Sequence, residues 1–142
     1  MAKFDSSTSV FKIDDSGGTL RDISAYLTDV SGLPGPRNLS EVTALGDTGS
    51  KFHPGLQNAT PSISGHYDST ATTGPDVILG GLRTHTAAIS FEYYPQGTGS
   101  GFKYTGDIWV TDYSITSTVG SQVSFTASLQ VDGAVTRAAY NA

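Results

Sequence analysis

The sequence contains no cysteine, a single methionine and few basic residues. Without Cys there can be no disulfide scaffold, thiolate zinc site or Cys nucleophile, and the chain suits a reducing compartment. Eight Lys and Arg stand against thirteen Asp and Glu, a formal charge of −5. That balance excludes a protein built to grip phosphate backbones, because such binding rests on Lys and Arg. No apolar run approaches the roughly 20 residues of a membrane-spanning helix. Met1-Ala2-Lys3-Phe4-Asp5 leads into no apolar stretch, so no secretory signal is expected. These absences predict a soluble, acidic protein made inside the cell, with no membrane insertion.

What remains is one domain spanning 1–142, long enough for a real core. Seventeen Gly, six Pro and 10% aromatics are too turn-rich for a helical bundle and too aromatic for a disordered tail. Neither a linker nor an internal repeat interrupts it.

The dominant signal is alternation with period two, which puts successive side chains on opposite faces of a strand. In Val123-Ser124-Phe125-Thr126-Ala127-Ser128-Leu129-Gln130-Val131, apolar and small polar residues alternate strictly. Ala87, Ile89, Phe91 and Tyr93 share one face of another run, and Ile63 and Tyr67 of a third. From Asp107 to Thr116 both faces carry apolar residues: Ile108 and Val110 on one, Trp109, Tyr113 and Ile115 on the other. Shorter strands are expected at Val10–Ile13 and Leu39–Leu45. Gln96-Gly97-Thr98-Gly99-Ser100-Gly101 and Val119-Gly120-Ser121 read as hairpin connections, giving a three-strand meander over about 86–132. Thr19–Leu27 fits a helix or a turn entering a strand equally well.

One segment carries helix signals: Pro75 at the start, Asp76 in the first turn and Arg83 in the last, with Val77, Ile78 and Leu82 as its apolar stripe. A short helix over about 75–84 follows. Gly46–Gln57 is rich in Gly, Asp, Ser and Pro and reads as a long functional loop. Its Phe52 and Leu56 are more apolar than a solvated loop needs.

Catalytic chemistry is hard to find. Gly97, Gly99 and Gly101 lead into a strand and not a helix, so they do not form a dinucleotide loop. His53, His66 and His85 have no metal-ligand spacing. Ser64, His66 and Asp68 fall in a row on one strand face, which is a polar stripe and not a triad, although a hydrolase reading starts there. Asp14-Asp15-Ser16-Gly17-Gly18 lacks the later ligands of a calcium loop. No catalytic, cofactor or metal residues are assigned. A binding-module reading, an extracellular β-sandwich for carbohydrate or adhesion, would use Tyr93, Tyr94, Tyr104, Trp109 and Tyr113 as a platform.

The order of several short motifs resembles the tail tube (major tail) proteins of long-tailed bacteriophages. The residues are Ile23-Ser24-Ala25-Tyr26-Leu27, Leu33-Pro34-Gly35, Val42-Thr43-Ala44-Leu45-Gly46-Asp47, Pro54-Gly55-Leu56, Ile63-Ser64-Gly65-His66-Tyr67-Asp68, and the close Phe125–Val131 with Asp132-Gly133-Ala134-Val135-Thr136-Arg137. The resemblance implies a mainly β fold, an antiparallel β-sandwich or split β-barrel with one flanking helix. It also implies homohexameric rings stacked into a tail tube, with tape measure, tail terminator and distal tail proteins as partners. Double-stranded DNA would pass through transiently and non-specifically. The setting would be the virion tail, after assembly in the host cytoplasm.

Within that frame the loop at about 46–57 is expected to join subunits or rings through Asp47, Lys51, Phe52, His53 and Leu56. Arms at about 1–9 and 138–142 would dock on neighbours. Ser124, Thr126, Ser128 and Gln130 would face the lumen, where the lack of Lys and Arg lets a duplex slide.

Overall fold

The computed structural model describes residues 8–97 and 101–139. Among the described residues nine strands and one helix follow in order: β1 (Val10–Asp14), β2 (Leu20–Asp22), β3 (Leu27–Ser31), β4 (Arg37–Glu41), β5 (Phe52–Gln57), β6 (Ser62–His66), α1 (Pro75–Leu82), β7 (Ile89–Tyr94), β8 (Phe102–Thr116) and β9 (Ser124–Ala139). Seven strands form one antiparallel sheet in the order β2-β1-β7-β8-β9-β6-β3, and β4 pairs with β5 alone. The central meander β7-β8-β9 is the expected one. Its first connection includes Thr98, Gly99 and Ser100, which lie outside the described residues.

Sequence distance forces this sheet to curl. Held flat, seven strands would place the outer edges about 29 Å apart. The outermost strands β2 and β3 are joined from Asp22 to Leu27, a reach of about 18 Å at most. The sheet therefore rolls into a half-barrel. Ile23 in the joining turn is fully buried, and the Phe11 amide donates to Ser24 Oγ at 2.8 Å, tying that turn to β1. Thr19–Leu27 thus resolves as a short strand and a turn. Of the two layouts the resemblance allowed, the split barrel is the one formed.

The concave face holds the core: Phe11 and Ile13 from β1, Ile63 from β6, Phe91 from β7, Ile108 from β8, and Phe125, Ala127 and Leu129 from β9. Helix α1 packs against it through Ile78, Leu79 and Leu82, whereas Val77 is 45% exposed. The expected stripe included Val77 in place of Leu79; at 100° per residue, positions 78, 79 and 82 share a narrower arc. The helix also ends two residues early, with Arg83 as its C-cap. At its start, Tyr113 Oη donates to Asp76 Oδ1 at 3.0 Å, and burial pushes the Tyr113 phenol well above its ordinary range.

Two further expectations are corrected. Strand β8 does not present two apolar faces: its register slips between Val110 and Asp112. That bulge inverts the alternation, so Tyr113 and Ile115 join Ile108 and Val110 on the core side, opposite Ala127 and Phe125. Nor is 46–57 a patternless loop, because Phe52–Gln57 is strand β5, while Val42–Leu45 lies outside β4. Pro54 and Gly55 look like breakers, yet an isolated pair has free edges where Pro is tolerated.

Candidate assembly surfaces

Three surfaces stand out on this scaffold, and the first is the convex face of the sheet. Ser124, Thr126 and Ser128 pair across β6 with His66, Ser64 and Ser62, and across β8 with Thr116, Ser114 and Asp112. Because they alternate with the core residues Phe125, Ala127 and Leu129 of β9, all project away from the core. The structure brings these three together as expected. Gln130 shares the face but is held down: its Nε2 donates to Asn58 Oδ1 at 2.8 Å.

The sequence reading missed how acidic this face is. Asp14, Glu92, Asp107, Asp112 and Asp132 all lie on it by register, against Lys12 and Lys103. Local alternation does show each residue's parity; only the strand order shows that they gather. Burial raises the Asp14 carboxyl above the ordinary range, a hydrogen bond from the Ser90 amide lowers it in part, and repulsion from Asp15, Asp107 and Glu92 adds to the rise.

The second surface is the β4–β5 hairpin, exposed along both strands. Leu39, Val42, Leu45, Phe52 and Leu56 all stand in solvent, Leu45 completely. A two-stranded hairpin is marginal alone in water, and exposed clusters of this kind mark contact sites. The five residues expected to make contacts divide into two groups. Asp47 Oδ2 accepts from the Ala44 amide at 2.7 Å and Oδ1 pairs with Lys51 Nζ at 3.0 Å, so these two residues hold the tip in shape. Phe52, His53 and Leu56 lie on β5 and remain exposed.

The third surface is the split itself, a cleft of about 570 Å3 between β1 and β3 lined by Val10, Phe11, Leu27, Val30 and Tyr93. Among the described residues β3 has one strand neighbour, β6, leaving its other edge open. The arms expected at 1–9 and 138–142 fall mostly outside the described residues.

The other candidate groups do not assemble. Tyr113 packs at a tilt against Phe125, ring centroids 5.7 Å apart, on the core side, Tyr93 also packs there, and Tyr94 and Trp109 lie on the opposite face. Five aromatics split between two faces make no platform. Asp68 is committed to Thr70, whose hydroxyl and amide hold its carboxyl below the ordinary range. Asp15 closes its own turn, accepting from Gly17, Thr19 and Arg21.

No protein-family model and no curated protein matches the sequence. Solved structures do resemble the fold. A chain from the tail of an empty gene transfer agent particle, determined by helical refinement with C6 symmetry, superposes with a TM-score of 0.74 at 18% identity, covering 99% of this chain and 100% of that one. A chain of the SPP1 tail tube gives 0.72 at 13%, covering 99% and 80%. A chain of the sheath–tube complex of an extracellular contractile injection system gives 0.69 at 14%, covering 96% and 92%. The half-barrel with one flanking helix is therefore a fold shared, over nearly its whole length, with chains of tails and contractile injection systems.

Proposed function

We propose that this chain is a structural, non-enzymatic tail tube subunit that forms stacked hexameric rings. The observation that carries this reading is the end-to-end correspondence with chains of a C6 tail and of the SPP1 tail tube. The surfaces fit it. A lone β domain with open edges risks unlimited pairing, and a closed ring removes those edges by symmetry. One sheet face carries the core and α1; the other is polar and acidic, with no further strand or helix over it among the described residues. In a ring, that open face lines the bore.

A bore of this kind suits DNA passage. An excess of Lys or Arg along it would gain phosphate contacts at every step of the duplex and stall movement. Here five carboxylates outnumber Lys12 and Lys103. Ser, Thr and Asp leave the duplex hydrated and free to slide. The hairpin, with its exposed leucines, joins copies or successive rings. Tape measure, tail terminator and distal tail proteins are its further partners, in the virion tail and, during assembly, in the host cytoplasm.

The absence of Cys supplies a clean test. Thr126→Cys and Val77→Cys each introduce one thiol, on the convex face and on the exposed side of α1. In assembled tubes a bulky maleimide is expected to label position 77 and to be excluded from position 126, with both labelled in free subunits. Labelling of 126 but not 77 in tubes would put the wrong face inward.

A further inference from the structure

Two arginines line a notch at the base of the hairpin and have no acidic partner there. The notch has a volume of about 260 Å3, and Arg37, Gln57, Tyr104, Val135 and Arg137 contribute to its lining, which contains no carboxylate. Both ion pairs among the described residues use other cations, Arg21 and Lys51. In a chain of net charge −5, two arginines lining one notch without a carboxylate are conspicuous.

Their surroundings are set up to donate. The Arg137 guanidinium lies over the Phe102 ring at 3.7 Å, which fixes its plane and leaves its N–H edge free for a two-point hydrogen bond. The side-chain oxygen of Gln57 already accepts from the Val135 amide, leaving its NH2 group as the unused end. The notch is therefore a cluster of donors that calls for an anion.

Position decides which anion. Tyr104 pairs with Arg137 on one side and with Tyr93 on the other, and Tyr93 packs on the core. The notch thus opens on the core side of the sheet, away from the polar face where a duplex would run. We infer that it receives an Asp or Glu carboxylate from a second copy of this chain and locks the hairpin base of one subunit to its neighbour. This rests on the self-assembly reading; the chain's own excess of carboxylates makes a second copy the complementary partner.

The test uses the full chain. Arg37→Gln and Arg137→Gln are expected to lower the monomer's melting temperature by no more than a few degrees, because both side chains are exposed and Arg137 gives up only its contact with the Phe102 ring. They are expected to raise the concentration needed for assembly by about tenfold or more. Arg137→Lys keeps the charge but loses the fork, and so recovers assembly only in part. The amine it introduces at position 137 also allows zero-length carbodiimide coupling in the assembled state. An amide bond from position 137 to an Asp or Glu of another copy, seen as a covalent dimer and mapped by mass spectrometry, is the expected result; it reads the contact even if the Gln variants fold poorly. Parent-like assembly of both Gln variants, or coupling only within one chain, would overturn the inference while self-assembly stands. Variants that assemble normally but lose affinity for duplex DNA would overturn it in favour of phosphate. A parent chain that stays monomeric at every concentration would remove both readings.

Discussion

The sheet around β9 and the β4–β5 hairpin carry similar apolar residues to opposite ends. In β9, Phe125, Ala127, Leu129 and Val131 are buried: the first two lie between β6 and β8, and the last two between β8 and the backbone of Ala59 and Pro61. In the hairpin, Leu39, Phe52 and Leu56 sit in strands and stay exposed, because two strands have nothing to close over them. Alternation alone does not bury a side chain; a covering layer does. The sheet brings its own layer in α1 and its curl; the hairpin has none among the described residues.

That contrast can be broken by mutation. Leu129→Ala is expected to destabilise the monomer by about 2–5 kcal/mol, the cost of a core cavity, measured by urea denaturation. Leu56→Ser, on the hairpin, should shift the monomer by no more than about 0.5 kcal/mol and yet impair assembly in a sedimentation assay. A large loss of monomer stability with Leu56→Ser would mean the hairpin already has its cover.

The closing of the sheet offers a smaller effect. A Cβ at Gly65 would collide with the carbonyl oxygen of Tyr26 and the backbone of Leu27, where β3 begins its pairing with β6. Gly65→Ala should therefore cost about 1–3 kcal/mol by overpacking. Tyr113→Phe removes the hydrogen bond to Asp76 that seats the helix, at about 0.5–1.5 kcal/mol. Gly46→Ala, in the hairpin tip where a Cβ meets open space, is the neutral control for the first of these.

The smallest effect tests the acidic face. The folded-state pKa of Asp14 is raised above the ordinary 3.8. Folding therefore favours the protonated form, and stability falls as pH rises from below 3.8 through the raised value. Asp14→Asn should stabilise the monomer slightly at neutral pH, and the advantage over the parent should vanish below pH 3.8. An equal advantage at all pH values would assign it to packing and not to charge.

Much of this was legible in the residues. The alternation of 123–131 marked its strand and its two faces, and Pro75-Asp76 marked the helix start. Other features depended on partners far along the chain. The bulge after Val110 changes the phase of β8, so Tyr113 and Ile115 read as a second apolar face until their pairing with Ala127 and Phe125 is known. Pro54 and Gly55 concealed β5 because they break most strands but not an isolated hairpin. Of the site, Ser124, Thr126 and Ser128 were found from one strand alone, whereas Asp14, Asp107 and Asp132 gather only through the strand order.

The central claim is that copies of this chain close into a tube with the β6-β8-β9 polar face inward. Electron microscopy of the purified full chain, raised in concentration until it assembles, tests it most directly. The expected result is hollow, sixfold tubes in which Thr126 and Ser128 face the bore and α1 lies on the outside. Monomers at every concentration, or tubes with α1 against the bore, would contradict it.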